Sequence, residues 1–441
     1  MNQFQCKKNI RLASLIFTVL ISLTVFPAAA QNNLREGAVF VGTNHNNTNT
    51  DPMSGEPANR IAMFHRASDG MLTFIDYFAT GGQGSGPGQR FAGDGLGASH
   101  SVQLTDDHRW LFVTNAGSNT LSVFEVLKNG LLLADVVPTG DGSPSHRFPN
   151  SVAIKGNLVY VLNSADEGSI TGFRFNRGTG KLEPIPGSTR ELGANQQFPP
   201  DALLNPTQVG FVPYQDRLVV TIKDGADGLD PNTPASGPGR VLVFDIDRRS
   251  GLPSETFTQT NLNNLGPFGF SFDGLGRLYI ALFIGGPNFT SAAGSFQINE
   301  DGSLTPITFP EPADGEVDLC WLENNARYAF GANYTSASIS SFRIGPNGSL
   351  TLLNARAGLI DDPDPPRTQG PTPLDLAITQ QSGRFLYNVL PGSGKVAGWR
   401  INDDGSLTKL GEFAGLGQTV DGDMAPSDFS PLESPAGIAA Y

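Results

Sequence analysis

The chain has 441 residues, of which 39% are hydrophobic and 16% are charged, and its formal net charge is −13 at pH 7. This acidic balance argues against binding to nucleic acid or to an anionic membrane surface. The 53 glycines and 32 prolines favour many short strands joined by tight turns over long helices.

Residues 1–30 have the organisation of a secretion signal. Lys7, Lys8 and Arg11 form a positive region, residues 12–26 are largely apolar, and residues 28–30 are alanines suited to cleavage before Gln31. The apolar run is shorter than the ~18–20 residues that span a bilayer. We therefore predict a secreted or periplasmic protein without a membrane anchor. Cleavage would remove Cys6 and leave Cys320 alone, so no intramolecular disulfide is expected.

From residue 61 onward one motif recurs seven times. It consists of a small or apolar residue, an aromatic residue three positions later, a glycine and a leucine, as in Ile339, Phe342, Gly348 and Leu350. Each copy predicts a strand, a polar glycine turn and a second strand. A period of roughly 40–50 residues or more with several strands per unit is typical of a β-propeller. The copies begin at Ile61, Leu121, Ile170, Val241, Ala293, Ile339 and Val396.

Two further strand candidates, an inner strand and a second strand separated by a polar turn, precede the motif in six complete units between Gly97 and roughly Leu416. Residues 37–79 contain three strands without this inner strand, and the C-terminal SPAGIAAY (434–441) is an inner strand with nothing after it. We therefore predict an all-β fold, a seven-bladed β-propeller formed by residues 31–441 as a single domain. Its ring would be closed by pairing the C-terminal strand with the N-terminal blade, because an open solenoid or two β-sandwiches would leave both fragments as exposed edges. The inner strands are expected to begin near Ser151, Gln208, Phe268, Asp318 and Leu374.

The long predicted loops all belong to one face of this propeller, at the start of the inner strands. They include 43–59, 80–98, 188–204, 224–238, 357–372 and 413–433. Long insertions gathered at one end usually form the binding end, although surface elaboration is the alternative. Loops before the inner strands carry many more acidic residues than arginines. Such a rim suits a neutral or cationic ligand better than phosphate or a dicarboxylate.

Several strand segments of the repeats share a recognisable pattern, among them RWLFVTNAGSNTLSVFEV, FPNSVAIKGNLVYVLNS, GPFGFSFD and PLDLAITQQSGRFLY. These segments resemble the lactonase-like seven-bladed propeller family, which includes 6-phosphogluconolactonases and carboxymuconate-lactonizing enzymes. The similarity extends over essentially the whole mature chain and is closest to the secreted branch described as 3-carboxymuconate cyclase-like. The resemblance implies a funnel in which histidine and arginine residues at the inner-strand starts act on anionic substrates.

Carried over by position, His100 in GASHSVQL matches a family histidine. Asn150 in FPNSV stands where the phosphogluconolactonases have a histidine, with His146 and Arg147 just upstream. Thr207 and Gln208 replace an arginine followed by a histidine, and Asp318 occupies a further arginine position. These departures argue against sugar-phosphate lactonase activity.

These residues give a candidate catalytic group and a candidate binding group. His100 could deprotonate water or protonate a leaving alkoxide, while His146 and Arg147 could form part of an oxyanion site. Each could instead be a hydrogen-bonded wall residue or a solvated loop residue. Asp318 and Asp375 begin adjacent inner strands and could converge with Lys223. Together with Asn150 and Gln208 they form the predicted substrate-binding set, and no metal or cofactor is assigned.

Two functions remain open from the sequence. The first is an exported enzyme that opens or forms a lactone, with His100 as the acid–base group. The second is a non-catalytic propeller that binds a small molecule, a glycan or a protein on the same face, since this fold hosts both classes. Either would act as a monomer on a small-molecule ligand or partner, without nucleic acid or membrane.

Overall fold

Six of the seven copies of the repeated motif form the third and fourth strands of an antiparallel sheet. A computed structural model of the chain describes residues 1, 35–46, 59–86, 94–202, 204–223, 239–262, 265–284, 290–360, 373–416 and 435–441. The chain divides into two units, 1–34 and 35–441. The proposed secretion signal and most of the long loops lie outside the described residues. Among the described residues, no helix is long and apolar enough to cross a bilayer.

The first three strands are followed by a complete four-stranded blade. The first three are β1 (Gly37–Gly42), β2 (Arg60–Arg66) and β3 (Leu72–Ala79). The complete blade contains β4 (Val102–Leu104), β5 (Trp110–Asn115), β6 (Thr120–Leu127) and β7 (Gly130–Pro138), before a 3-10 turn at Pro144–His146.

The second of the next two blades contains the weakest copy of the motif, the one that begins at Val241. One is formed by β8 (Pro149–Lys155), β9 (Leu158–Asn163), β10 (Ser169–Asn176) and β11 (Lys181–Pro184), with β12 (Arg190–Glu191) also pairing with β10. The other contains β13 (Pro206–Phe211), β14 (Arg217–Ile222), β15 (Arg240–Asp245) and β16 (Thr258–Asn261). In this second blade the leucine of the motif precedes only an isolated bridge between Ile246 and Pro253, and the fourth strand starts later.

Three further blades and one strand complete the chain. They are β17 (Leu265–Phe272), β18 (Leu278–Ile284), β19 (Thr290–Ile298) and β20 (Leu304–Val317); then β21 (Leu319–Asn324), β22 (Tyr328–Asn333), β23 (Ser338–Ile344) and β24 (Leu350–Leu359). The last full blade contains β25 (Leu376–Ile378), β26 (Phe385–Leu390), a 3-10 turn at Pro391–Ser393, β27 (Lys395–Ile401) and β28 (Leu407–Ala414). The final strand is β29 (Ile438–Ala440).

The C-terminal strand closes the ring as predicted. β29 pairs antiparallel with β1, with Phe40 opposite Ala439, and gives the sheet order β29-β1-β2-β3. The inner strands of successive blades contact one another in sequence, and β29 contacts β4. The fold is therefore an all-β, seven-bladed β-propeller.

The hydrophobic core lies between neighbouring sheets. One buried cluster joins Tyr160 and Leu162 of β9 to Val209 and Leu218 of the following blade. The glycine of the repeated motif allows the sheets to approach closely. Gly180 has φ +74°, and a Cβ there would lie 2.3 Å from the ring of Trp110 in the preceding blade. Glycine supplies both the left-handed backbone and the space that this contact needs.

Candidate active site

One position near the end of every inner strand controls the space around the propeller axis. The residues there are equivalent because each pairs with the same position of the second strand in its blade. Five of them are small, and two, Gln103 and Glu323, are long. The seven are Gln103, Ala153, Gly210, Ser271, Glu323, Ala377 and Ala439.

Two cavities result from this pattern, and we call them the larger bay and the smaller bay. The larger bay, about 270 Å³, is lined by β8, β13 and β17, where the small residues are Ala153, Gly210 and Ser271. The smaller bay, about 130 Å³, follows β25 and β29. His100, Gln103 and Glu323 line both bays. Gln103 and Glu323 therefore separate the two spaces, and His100 lies where they meet.

The bays extend toward the C-terminal ends of the inner strands. Ile154, Phe211, Phe272, Asn324 and Ile378 line these ends and are partly exposed. The expectation that the long-loop face carries the binding site therefore does not describe these bays, which extend to the opposite end of the strands. The physical reason is the run of small residues in the second half of the inner strands.

The backbone of His100 is fixed by two other blades. Its N–H donates to Oδ2 of Asp375 at 3.0 Å, and its carbonyl accepts from the N–H of Val152 at 3.0 Å. The residue has φ +63°, which costs roughly 1–3 kcal/mol outside glycine and persists only where the surroundings impose it. The backbone of His100 is therefore held in this conformation by contacts that only the assembled ring provides.

Both imidazole nitrogens have protein partners. Nε2 lies 2.7 Å from Oε1 of Glu323, and Nδ1 lies 3.0 Å from Nε2 of Gln208. The Gln208 amide is oriented by Phe270, because its Nε2 donates to the Phe270 carbonyl and its Oε1 accepts from the Phe270 N–H. Nδ1 of His100 is thus the acceptor, and the neutral ring donates its Nε2–H to Glu323.

Two carboxylates flank the imidazole and change its titration. Burial alone would lower the pKa of His100, but the hydrogen bond and charge of Glu323 and the charge of Asp375 raise it overall. Burial raises the pKa of Asp375 to about 6, against the charge of His100 and the hydrogen bonds from Ser99 and the His100 N–H. The side chains of His100 and Glu323 are 20% and 19% exposed, so this pair can be reached by solvent.

Lys223 and Asp318 belong to a different buried cluster. Nζ of Lys223 lies 3.8 Å from Sγ of Cys320 and over the ring of Phe268. The charge of Lys223 acts on Asp318, but burial raises the pKa of that carboxyl overall. Burial also raises the pKa of the Cys320 thiol to about 12, as expected for a packed rather than a nucleophilic cysteine. The expected convergence on Lys223 thus includes Asp318, whereas Asp375 contacts His100.

The remaining candidates lie away from the lining of both bays. His146 pairs with Asp141 at 2.7 Å, and Arg147 pairs with Asp166 at 3.1 Å. Asn150 is fully buried and donates to the carbonyl of Pro206 at 2.8 Å, which joins two inner strands.

Glu323 was missed by the sequence reasoning, as was Gln103. The available signal was the alignment of inner strands, in which a glutamate and a glutamine interrupt a ring of small residues. Within the described ranges, no group of three or more His, Cys, Asp or Glu residues is arranged to hold a metal ion.

Comparison with known proteins agrees with this architecture. A sequence model of the family described as "Lactonase, 7-bladed beta-propeller" matches residues 53–193 and 278–423. An Arthroderma benhamiae protein described as a probable 6-phosphogluconolactonase is 27% identical over 156 residues, which is 34% of this chain and 34% of that protein. An uncharacterized Staphylococcus aureus protein is 31% identical over 84 residues, 19% of this chain and 24% of its own. The matches thus span about a third or less of these relatives.

Solved structures share the fold at low sequence identity. A Bacteroides uniformis protein provisionally described as a 6-phosphogluconolactonase has a TM-score of 0.60 at 16% identity, covering 88% of this chain and 98% of that one. The periplasmic gluconolactonase of Pseudomonas aeruginosa has a TM-score of 0.59 at 15% identity, covering 87% and 98%.

Proposed function

Because the chain belongs to the lactonase family of seven-bladed β-propellers, we propose that it hydrolyses an uncharged lactone in the axial bays. The observation that carries the proposal is the His100–Glu323 pair, 2.7 Å apart at the junction of the two bays. A carboxylate and an imidazole that share a hydrogen bond can take up and return the proton that ester hydrolysis requires.

In the proposed reaction Glu323 acts as the base, and His100 holds it in place. Both nitrogens of His100 are already engaged, whereas the Glu323 carboxylate has further lone pairs for a water molecule. Glu323 removes a proton as the water oxygen bonds to the lactone carbonyl carbon, whose π electrons move to the carbonyl oxygen. The carbonyl then re-forms, the ring C–O bond breaks, and the proton passes to the ring oxygen. The product is the open hydroxy acid.

The charge of the bays supports an uncharged substrate. Among the described residues, neither lysine nor arginine belongs to the lining of either bay, and Glu323 lines both. Phosphate and dicarboxylate ligands usually require arginine forks. We therefore propose that 6-phosphogluconolactone is not the substrate, and that ring opening is favoured over closure of a carboxymuconate-type dicarboxylate.

The test is to incubate the purified chain 31–441 with a panel of uncharged lactones. Hydrolysis is measured as the release of acid at pH 7 to 8. Turnover should depend on Glu323, so Glu323→Gln should abolish most of it, while His146→Asn, which alters a histidine–carboxylate pair outside the bays, should leave it unchanged. Turnover of 6-phosphogluconolactone at a rate similar to that of the best neutral lactone would reject the proposal that the substrate is uncharged. Absence of turnover on the whole panel would favour the alternative, a propeller that binds a ligand without reaction.

A further inference from the structure

We infer that the preferred substrate is a lactone with an aromatic substituent, and that the larger bay receives this group beside the lactone ring. This inference rests on the proposed function. It names the substrate class, which neither the family nor the His100–Glu323 pair defines.

The division of the axial space is the first observation. Gln103 and Glu323 occupy equivalent positions in their strands and line both bays, while the five other blades have a small residue there. A ligand carbonyl beside Glu323 and His100 therefore has a bay on either side of it. The larger bay adjoins three consecutive small residues, and the smaller bay adjoins two.

The wall of the larger bay is the second observation. Away from His100 it is lined by Ile154, Phe211, Pro213 and Phe272, and the rings of Phe270 and Phe272 meet edge to face at 5.4 Å. The polar Ser271 and Asn324 in this wall are bonded to each other at 2.8 Å, and Asn324 also donates to the Phe272 carbonyl. The wall thus offers apolar and aromatic contact to a ligand group.

The volumes of the two bays indicate which of them receives the aryl group. A cavity of about 150 Å³ is known to hold benzene. The larger bay, about 270 Å³, can receive a group of that size together with part of a lactone ring. The smaller bay, about 130 Å³, has about half the volume of the larger bay. An aryl group therefore fits on the side of β8, β13 and β17.

The experiment uses matched probes that separate binding from reaction. γ-Phenyl-γ-butyrolactone and γ-butyrolactone test turnover, and the corresponding lactams, 5-phenyl-2-pyrrolidinone and 2-pyrrolidinone, test binding by calorimetry without hydrolysis. We expect the phenyl lactam to bind more tightly by about tenfold or more, the range that a filled apolar pocket gives. The phenyl lactone should show a similar advantage in kcat/KM.

Two variants locate the group. Ala153→Gln places a long side chain in the larger bay at the position where Gln103 and Glu323 already accommodate one, and it should remove the phenyl preference. The matched Ala377→Gln fills the smaller bay and should preserve that preference. Ala153→Met provides a second filled variant if the first does not fold, as judged by circular dichroism and thermal unfolding.

Failure of this inference differs from failure of the proposed function. Equal kcat/KM for the two lactones, or a phenyl preference removed by Ala377→Gln rather than by Ala153→Gln, would overturn the inference and leave lactone hydrolysis intact. Tight binding of the phenyl lactam without turnover of either lactone would reject hydrolysis and support the bay assignment. If the chain neither binds the lactams nor turns over the lactones, both the inference and the proposed function are rejected.

Discussion

Nε2 of His100 lies 2.7 Å from Oε1 of Glu323, although 223 residues separate them in the chain. One residue precedes the inner strand of its blade and the other is near the end of an inner strand across the axis. The contact exists only when the ring is closed, because each blade supplies one half of it. The proposed acid–base chemistry at the axis therefore depends on the integrity of the whole propeller.

Replacing His100 by asparagine should lower kcat/KM for a neutral lactone by up to roughly 10²–10⁴-fold, the usual contribution of a positioned acid–base group, because the base Glu323 loses the imidazole that holds it in place. The asparagine amide reaches only to the position of Nδ1 and cannot replace the hydrogen bond that Nε2 makes to Glu323. The double variant His100→Asn/Glu323→Gln should be about as impaired as either single variant, since the two act as one unit. Steady-state kinetics of the three variants tests this, and fully additive losses would contradict it.

Removing the Glu323 charge should move the titration of His100 to lower pH. The pKa of His100 is raised by Glu323 against the lowering effect of burial. In Glu323→Gln the burial stays and the charge is lost, so the midpoint of the His100 ring signal in NMR should fall. The His100→Asn spectrum identifies that signal among the five histidines. An unchanged midpoint would show that Glu323 does not control this proton.

The fold was predictable because a propeller repeats its local rules. The motif that begins at Ile61 recurs in every blade. The C-terminal inner strand predicted at 434–441 could pair only with the N-terminal blade, which lacked an inner strand. The isolated Ile246–Pro253 bridge shows where the pattern weakened, since the loop after Leu252 delays the fourth strand. Ring closure therefore followed from periodicity and unpaired edges alone.

The site was only partly predictable because it depends on distances across the axis. Sequence reasoning placed His100, Gln208 and Asp375 at strand starts, and the structure brings these three together. It did not find Glu323, which follows the buried Trp321 and Leu322 and reads as a strand-end charge. The order of the blades gives which blades face each other, but no local pattern gives which of their side chains come into contact across the axis.

Export should be visible at the N terminus of the mature protein. The positive region, apolar run and alanines of residues 7–30 predict cleavage before Gln31. N-terminal sequencing of protein recovered from the periplasm or medium should therefore begin at or near Gln31. Accumulation of the uncleaved chain in the cytoplasm of its own host would contradict this prediction.

Deleting residues 434–441 should cause aggregation and loss of the cooperative thermal transition. The deletion removes β29, uncovers the edge of β1 between Val39 and Val41, and removes the Tyr441 carbonyl that accepts from Nε of Arg66 at 2.8 Å. Uncovered strand edges promote pairing between molecules. The comparison is between chains 31–441 and 31–433 by size-exclusion chromatography and calorimetry. A monomeric 31–433 chain with an unchanged melting temperature would contradict the role of this strand.

Asp375 should make the protein less stable as the pH rises from about 4 to about 6. Its pKa is raised from 3.8 to about 6, mainly by burial, so the folded state binds the proton more tightly than the unfolded state. The resulting stabilisation is fully present below the unfolded pKa and is lost as the pH passes through the folded pKa. A shift of this size corresponds to roughly 3 kcal/mol in the free energy of unfolding.

Asp375→Asn removes this titration and should flatten the dependence of the unfolding free energy on pH in that window. At low pH the variant should be less stable than the parent, because an amide nitrogen would face the N–H of His100 in place of the oxygen that accepts from it.

Part of the pH dependence of the unfolding free energy should remain in Asp375→Asn, because burial also raises the pKa of Asp94 to about 6. Asp247→Asn is the control, because the Ser250 hydrogen bonds lower the pKa of that exposed carboxyl and its effect on stability lies at more acidic pH. Urea unfolding at half-unit steps from pH 4 to pH 7 gives the slopes, and equal slopes for Asp375→Asn and the parent would show that Asp375 titrates as an ordinary carboxyl.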